Sequence, residues 1–273
     1  MSLLALWAEG ERDPAAPVFR ADDRGALLGD GVFETLKVVA RRALFLDAHL
    51  ARMAEGARLF GIPFDEEAVR AGAASVLARA PEGPCVLRIA LSRGPGARGL
   101  APMLGGEPAL VASLSPAPPP APGSLRLVSV RRNEGSPASR VKCASYADMI
   151  LARAEAAAAG GEDALMLNNA GRVACTSMAN LWARVDGAYV TPPVGEGALP
   201  GVVRRVVLAG AREAGLPVQE RAVTLGEAQG CPLFRSNSLL GVTPAWLPGG
   251  PRAADDDPLI ALYARLEAAE AGA

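Results

Sequence analysis

The 273-residue sequence contains one histidine, His49, and only four cysteines. A single histidine excludes a multi-histidine metal site, and it excludes most serine–histidine–aspartate mechanisms unless His49 acts alone. The cysteines are widely spaced and form no C-x-x-C motif. We therefore expect reduced thiols, as in a cytoplasmic protein, rather than a disulfide framework or a zinc site.

Long hydrophobic runs and an excess of charge of either sign are also missing. No stretch of 18 apolar residues occurs, and no basic region precedes the apolar residues at the N-terminus. Neither a membrane span nor a signal peptide is therefore expected. The 28 Lys and Arg residues nearly balance the 29 Asp and Glu residues, which argues against a nucleic-acid partner.

Aromatic residues make up only 4% of the chain, whereas half of it is hydrophobic, so a sizeable core of aliphatic side chains is expected. Strand-like and helix-like segments mix without strict β-α-β alternation, which predicts a mixed α/β (α+β) fold rather than a Rossmann fold or a TIM barrel. Residues 115–123 contain five prolines, which cannot join a helix or a central strand. They predict a linker between an N-terminal α/β domain, residues 1–114, and a C-terminal α/β domain, residues 124–273.

The hydrophobic pattern places most of the secondary structure. It predicts a strand over Gly31–Val39, a short strand over Ala43–Leu46, and a helix over Ala48–Phe60 with Asp47 as its N-cap. Further helices are predicted at Asp65–Ala80, Ser145–Ala159, Val202–Ala214 and Leu259–Ala268, and further strands at Cys85–Leu91, Ala109–Leu114, Leu125–Arg131, Ala164–Asn168, Leu181–Val185, Leu233–Arg235 and Val242–Ala245.

Several polar segments of the first half are candidates for chemistry, although each also has an ordinary structural explanation. His49 and Arg52 are three residues apart on a predicted helix, so they point the same way and together could hold an anion. Arg93 and Arg98 lie in a glycine-rich loop, and their guanidinium forks suit carboxylates. Nothing in the residues around Lys142 distinguishes it from a surface lysine.

Two segments of the second half are candidates for binding an anion. The Pro200-Gly201 pair precedes a predicted helix, and free backbone N–H groups at a helix start favour an anion such as phosphate. The polar cluster Ser236–Ser238 lies between apolar runs and is either a second phosphate contact or only a turn.

The order and spacing of these segments resemble the class IV aminotransferases, which are fold-type IV pyridoxal-phosphate enzymes. The segments are, in chain order, GDGVFET, HLAR, SRGPGARG, Lys142 followed by SYADMILARAEA, NNAGRVACTSMANLW, TPPVGEGALPGVVR and SNSLLGVTP. The resemblance runs collinearly from about Asp22 to Pro244. It implies a two-domain fold like that of D-amino-acid aminotransferase, with the cofactor between the domains. It also implies a homodimer, because the arginine loop of some relatives comes from the partner subunit.

The resemblance also implies roles for individual residues. Lys142 would bind pyridoxal 5′-phosphate covalently and act as the catalytic base, and Tyr146 would hydrogen-bond the ring O3′. The phosphate would be held by Arg52, by the backbone of Val202 and Val203 and by the hydroxyl of Ser238, and the substrate would contact Phe33 and Arg93 or Arg98.

One position departs from the family pattern G-x-V-x-E-x-S-x-x-N-L-F. Cys175 stands where the pattern carries the glutamate that pairs with the pyridine nitrogen of the cofactor. A carboxylate keeps that nitrogen protonated, whereas a thiol with a pKa of about 8.5 does so poorly. Three interpretations remain open: Cys175 works as a thiolate, the ring nitrogen is largely neutral and transamination is disfavoured, or ordinary activity has been lost.

Within the family, the SRGPGARG and SNSLLGVTP segments are most similar to those of the 4-amino-4-deoxychorismate lyases. The resemblance therefore favours a small-molecule amino substrate, 4-amino-4-deoxychorismate, converted to 4-aminobenzoate and pyruvate for folate synthesis. The alternatives are an aminotransferase acting on branched-chain or D-amino acids, and a cofactor-binding protein with altered or lost activity.

Overall fold

The computed structural model describes residues 3–97, 99–101 and 107–272. It divides into two compact units, of which unit 1 comprises Met1–Pro118 and Val141–Tyr146, and unit 2 comprises Pro119–Arg140 and Ala147–Ala273. The division between Pro118 and Pro119 falls inside the proline-rich segment that the sequence predicts as a linker. Within the described ranges, no helix has both the length and the apolar character needed to cross a membrane.

Unit 1 is an antiparallel sheet covered on one face by two helices. Its elements in chain order are β1 (Ala5–Trp7), β2 (Glu11–Arg12), α1 (Arg24–Leu28), β3 (Gly31–Val39), β4 (Arg42–Ala43), α2 (Leu46–Phe60), α3 (Glu66–Leu77), β5 (Cys85–Ser92) and β6 (Ala109–Pro116). The strands of the described residues follow the order β2-β1-β6-β5-β3-β4. Leu36 of β3 and Leu87 of β5 are fully buried and share one apolar core with Leu50 and Met53 of α2.

The start of α2 differs from the prediction. The helix begins at Leu46, after Phe45, whose φ of +54° turns the chain, and Asp47 lies in the first helical turn rather than at the N-cap. The strand predicted over Ala43–Leu46 is correspondingly short, because the helix takes up Leu46. An acidic residue in the first turn still interacts favourably with the helix dipole, so the sequence signal was real but displaced by two positions.

Unit 2 is built on a mixed sheet. Its elements in chain order are β7 (Gly123–Leu127), α4 (Ala147–Ala158), β8 (Asp163–Leu167), β9 (Val173–Thr176), β10 (Asn180–Val185), β11 (Ala188–Thr191), α5 (Val202–Glu213), β12 (Val218–Glu220), α6 (Leu225–Gly230), β13 (Leu233–Asn237), β14 (Gly241–Trp246) and α7 (Pro258–Ala271). The described strands follow the order β12-β11-β10-β13-β14-β7-β8-β9, with parallel pairs β11–β12, β14–β7 and β7–β8. The predicted mixed α/β fold class is confirmed.

The long predicted elements occur with ends shifted by a few residues, and the short elements were not predicted. Those not predicted are β1, β2, α1, β9, β11, β12 and α6. Most of them have too few residues to show a hydrophobic period, so only pairing with neighbouring strands or packing on the sheet makes them stable.

Lys142 belongs to unit 1, although the sequence placed it in the C-terminal domain. The N–H of Phe33 donates to the carbonyl of Lys142 at 3.0 Å, and the N–H of Ala144 donates to the carbonyl of Gly31 at 2.8 Å. These bonds bring residues 141–146 antiparallel to the start of β3. The pairing joins residues far apart in the chain, which is why a local sequence pattern does not predict it.

Candidate active site

The amine of Lys142 has a defined place in unit 1. Its Nζ donates a hydrogen bond to the Oη of Tyr146 at 3.0 Å and lies 4.3 Å from the centroid of the Phe33 ring. The rings of Phe33 and Tyr146 meet edge to face, with their centroids 5.1 Å apart. Three residues singled out from the sequence therefore come together, and a half-buried amine is held against an aromatic wall.

The glycines of the GDGVFET segment make this arrangement possible. Gly29 ends α1 in the left-handed region, with φ of +70°, which favours glycine. A Cβ on Gly31 would lie 2.7 Å from the carbonyl oxygen of Leu91, so a side chain there would force β3 away from β5. The two glycines thus let the chain turn after α1 and let β3 lie close to β5 beside the segment that carries Lys142.

Arg88 also belongs to this group, and the sequence analysis missed it. It lies on β5 opposite Thr35, and its guanidinium carbon is 4.0 Å from the centroid of the Phe33 ring. Phe33 and Thr35 share one face of β3, so Arg88 and Lys142 approach the same ring. The signal that could have found Arg88 is its charge at the centre of an otherwise apolar strand.

On the other face of β3, Glu34 forms a buried network with His49 and Arg52. The side chains of Glu34 and His49 are fully buried, and that of Arg52 is 9% exposed. Arg52 donates from Nε to Oε1 at 2.8 Å and from Nη2 to Oε2 at 2.5 Å, and Nδ1 of His49 lies 2.6 Å from Oε2. His49 and Arg52 do point the same way, and an anion that they hold is a carboxylate of the protein itself.

The charges in this network follow from its contacts. Burial alone would raise the pKa of the Glu34 carboxyl, but the charge and hydrogen bonds of Arg52, aided by His49, lower it to about 2. Burial lowers the pKa of His49 and outweighs the attraction of Glu34, and the charges of Arg52 and Lys142 lower it further. Glu34 is therefore ionised and accepts, so neutral His49 must carry its proton on Nδ1.

The arginine loop has one member inside the described residues. Arg93 donates to both carboxylate oxygens of Asp30, at 2.7 and 3.1 Å, and to the carbonyls of Phe60 and Gly61. Its guanidinium is buried and already bonded to these groups, and the substrate contact predicted for Arg93 stays a prediction. Arg98, the other predicted substrate contact, lies outside the described residues.

Cys175 lies on β9 of unit 2, paired with Met166 of β8. It is buried in a cluster whose other members include Val128 and Ala152. Burial raises the pKa of the Cys175 thiol to about 11. The group is therefore a neutral thiol at neutral pH in this structure, which argues against the thiolate interpretation and favours the other two.

Val202 and Val203 open α5 with an N-terminus that no side chain caps at Gly201. Asn180 shapes this approach: its Nδ2 donates to the carbonyl of Leu199 at 2.8 Å, and a Cβ on Gly201 would lie only 2.0 Å from its Oδ1. The close contact requires glycine before the helix. An uncapped helix start of this kind suits an anion such as phosphate, and the phosphate contact by Val202 and Val203 stays a prediction.

Ser238 lies in the tight turn between β13 and β14 and is half-buried. The turn is closed by Asn237, whose Oδ1 accepts from the N–H groups of Leu239 at 2.9 Å and Leu240 at 2.7 Å. The turn interpretation of this polar cluster therefore holds, and it leaves a phosphate contact by Ser238 as a prediction.

Residues 31–246 match the model of the family Amino-transferase class IV, so the chain belongs to the class IV aminotransferases. The enzymes of this family use pyridoxal 5′-phosphate, and the residues present fit that cofactor. In unit 1, Lys142 offers a primary amine, held by Tyr146, with which the aldehyde of the cofactor can react. The protein is thus a pyridoxal-phosphate-dependent enzyme.

Individual relatives carry two different activities in their names. The chain is 30% identical to the aminodeoxychorismate lyase of Vibrio harveyi over 272 residues, covering 96% of this chain and 98% of the relative. It is 32% identical over 223 residues to a Methanocaldococcus jannaschii protein named provisionally as a branched-chain-amino-acid aminotransferase, covering 79% and 76%. The crystal structure of the 4-amino-4-deoxychorismate lyase from Pseudomonas aeruginosa superposes with a TM-score of 0.83 at 30% identity, covering 96% and 97%.

Proposed function

We propose that the protein converts 4-amino-4-deoxychorismate to 4-aminobenzoate and pyruvate. The observation that carries this proposal is the group around Phe33, where the amine of Lys142 and the guanidinium of Arg88 approach one ring. A general base beside a fixed cation suits an amino substrate that carries carboxylates. The similarity to lyases over nearly the whole chain supports the same assignment.

Lys142 does the proton chemistry in this proposal. Pyridoxal 5′-phosphate, when bound, supplies an electron-accepting ring that stabilises negative charge at the substrate carbon bearing the amine. Nζ of Lys142 removes the proton from that carbon, and enolpyruvate leaves as its bond to the neighbouring ring carbon breaks. The same amine then returns a proton to the methylene of enolpyruvate, which gives pyruvate. Tyr146 keeps Nζ in place through the 3.0 Å hydrogen bond.

Arg88 and Arg98 bind the substrate carboxylates. The substrate has two carboxylates, and a guanidinium can bind a carboxylate through two parallel hydrogen bonds. Arg88 is exposed beside the ring that Lys142 contacts, whereas Arg93 is committed to Asp30. We therefore assign the carboxylate contact predicted for Arg93 or Arg98 to Arg98, with Arg88 as the additional cation.

We assign the cofactor phosphate to Arg52, to the backbone of Val202 and Val203 and to the hydroxyl of Ser238, as the family resemblance implies. A doubly charged phosphate is bound well by a guanidinium fork and by free N–H groups at a helix start. The uncapped N-terminus of α5 and the buried, charged side chain of Arg52 support this assignment.

The neutral thiol of Cys175 favours elimination over transamination. Without a carboxylate partner, the pyridine nitrogen is less protonated and the ring is a weaker electron sink. Elimination to an aromatic product has its own driving force, so it tolerates a weaker sink than transamination does. The high pKa of Cys175 supports this interpretation.

The proposed enzyme is a cytoplasmic homodimer. Apolar side chains that are exposed within single units support a subunit interface: Ile150 and Leu151 on α4 are 66% and 59% exposed, and Leu27 on α1 is 65% exposed. All four cysteines are free thiols, as expected in a reducing compartment.

Product analysis tests the proposed activity. Purified protein is incubated with 4-amino-4-deoxychorismate, and separately with branched-chain or D-amino acids and a keto acid. The proposal expects 4-aminobenzoate and pyruvate in equal amounts, and none of either with Lys142→Ala. Borohydride reduction followed by peptide mapping should place the cofactor on Lys142. An adduct on another lysine, or exchange of amino and keto groups without 4-aminobenzoate, would overturn the assignment.

The second candidate is a branched-chain aminotransferase, which the similarity to the Methanocaldococcus jannaschii protein favours. The same Lys142 amine would then move a proton between the substrate and the cofactor. Formation of a branched-chain amino acid from its keto acid, with no product from 4-amino-4-deoxychorismate, would establish it.

A further inference from the structure

We infer that Glu34 is a positioning residue: its carboxylate fixes the guanidinium of Arg52 in the orientation that binds the phosphate of the cofactor. The inference rests on the proposed role of Arg52, and it concerns a residue to which neither the sequence motifs nor the comparisons give a function. Glu34 itself need not touch the cofactor, because it acts through Arg52.

Glu34 lies on the face of β3 that is buried in the apolar core. It shares one face of β3 with Leu36 and Val38, and it lies opposite Ile89 of β5, three fully buried apolar residues. An apolar side chain at this position would simply extend the core. A carboxylate there loses its hydration, which costs free energy unless charged or hydrogen-bonding partners compensate.

The network of Glu34, His49 and Arg52 adds little to folding stability beyond what an apolar core would provide. Replacing a complete buried ion pair with well-packed apolar residues is often neutral or stabilising. Stability alone therefore gives no reason for placing Glu34, His49 and Arg52 together under β3. What the network does provide is one defined geometry, since each of the three side chains is held by another.

The contacts with Glu34 set the orientation of the Arg52 guanidinium. A guanidinium is planar and carries five N–H donors in a fixed fork. Glu34 binds the edge formed by Nε and Nη2, so the plane of the group and the direction of Nη1 are fixed together. His49 donates to Oε2 and restrains rotation of the carboxylate. An arginine fixed in this way loses less side-chain freedom when it binds phosphate.

The experiment compares two ligands that differ only by the phosphate. The cofactor is removed from the purified protein, and the dissociation constants of pyridoxal 5′-phosphate and pyridoxal are measured by absorbance titration. Both aldehydes react with Lys142, so the ratio of the two constants isolates the phosphate contacts. The variants are Glu34→Gln, Glu34→Asp, Arg52→Ala and the double variant Glu34→Gln/Arg52→Ala.

Glu34→Gln should weaken pyridoxal 5′-phosphate about tenfold, the size typical when an orienting partner is removed, and leave pyridoxal unchanged. Glu34→Asp, which keeps the charge, should recover part of this loss. Arg52→Ala should lose more, and the double variant should lose no more than Arg52→Ala, because Glu34 acts through Arg52. If Glu34→Gln does not fold, the same ratio measured for Glu34→Asp should be shifted in the same direction.

Asp257→Asn is the matched control. Asp257 is a buried carboxylate of unit 2 that accepts from Tyr189 Oη at 2.6 Å and pairs with Arg184. It should lower thermal stability without changing the ligand ratio. An unchanged ratio in Arg52→Ala would show that Arg52 does not bind the phosphate. It would overturn both the proposed role of Arg52 and the positioning role of Glu34. If Arg52→Ala does change the ratio, two results would overturn the role of Glu34 alone. In one, Glu34→Gln weakens both ligands equally; in the other, Glu34→Gln adds its full effect to that of Arg52→Ala in the double variant.

Discussion

Glu34 and Cys175 are both acidic groups buried in a sheet, yet one is charged and the other is neutral. Burial raises the pKa of each. Glu34 has Arg52 and His49 as partners, and they bring its pKa down to about 2. Cys175 lies among apolar side chains, and its pKa stays at about 11. For Glu34, the partners outweigh the burial and keep the carboxyl charged. A thiol is neutral at pH 7 at its ordinary pKa, and burial keeps Cys175 so.

The comparison also bears on the chemistry. Unit 1 keeps a buried charge where the proposed phosphate arginine needs a fixed direction. Unit 2 has no charge at Cys175, where the family pattern carries a carboxylate toward the cofactor ring. With the roles proposed for Arg52 and Cys175, the enzyme would combine an organised phosphate site with a weakened electron sink, which suits elimination better than amino-group exchange.

The largest expected effect is on folding stability. Glu34→Leu leaves Arg52 and His49 without their acceptor and should lower the free energy of unfolding by about 3–5 kcal/mol. Cys175→Ala removes only one small buried group and should cost about 1 kcal/mol. Urea denaturation of both variants measures the difference. Adding Arg52→Met to Glu34→Leu should restore much of the stability, and a double variant no more stable than the single one would contradict this account.

The two groups should respond to opposite ends of the pH scale. The pKa of Glu34 falls from an ordinary 4.5 to about 2, so its stabilisation is complete above pH 4.5 and is lost as the pH falls toward 2. The pKa of Cys175 rises from an ordinary 9.0 to about 11, so its contribution is complete below pH 9 and is lost as the pH rises toward 11. Unfolding free energies of the native protein, Glu34→Gln and Cys175→Ala across pH measure both. Equal acid sensitivity with and without Glu34 would be inconsistent with the low pKa.

Cys175→Glu should convert the neutral position into a charged one. A carboxylate paired with the pyridine nitrogen strengthens the electron sink, so side transamination should rise relative to elimination. Each unit by which the pKa of the nitrogen increases raises the ratio of protonated to neutral ring about tenfold. Both activities are measured in one preparation with cofactor occupancy checked by absorbance, and Cys175→Gln is the uncharged control. The same ratio of transamination to elimination in Cys175→Glu and Cys175→Gln would show that residue 175 does not control the protonation of the ring nitrogen.

An exposed ion pair provides the smallest effect and the baseline. Arg70 bonds Glu66 and Asp47 on the surface of α2 and α3, and its side chain is 41% exposed. Arg70→Ala should change the free energy of unfolding by less than about 1 kcal/mol, because water already solvates and screens these charges. Thermal melts beside Glu34→Leu make the comparison. A loss as large as that of Glu34→Leu would show that burial is not what gives the inner network its importance.

The fold class, the long helices and strands and the family could all be predicted from the sequence. The strand Gly31–Val39 has the predicted bounds, and α5 begins at Val202 as predicted. These features follow from hydrophobic periods and from glycine and proline signals within short stretches of chain. The collinear motifs likewise indicated pyridoxal phosphate, because their order does not depend on how the chain folds back on itself.

Which side chains come into contact could be seen only in the folded structure. Phe33 comes beside Lys142 because residues 141–146 pair with β3, and Arg88 reaches the same ring from β5, both across long separations in the chain. The same alternation that sends Phe33 toward the amine sends Glu34 into the core, where α2 brings its partners. The charge of a buried group depends on the atoms around it in space, and a one-dimensional pattern does not contain those distances.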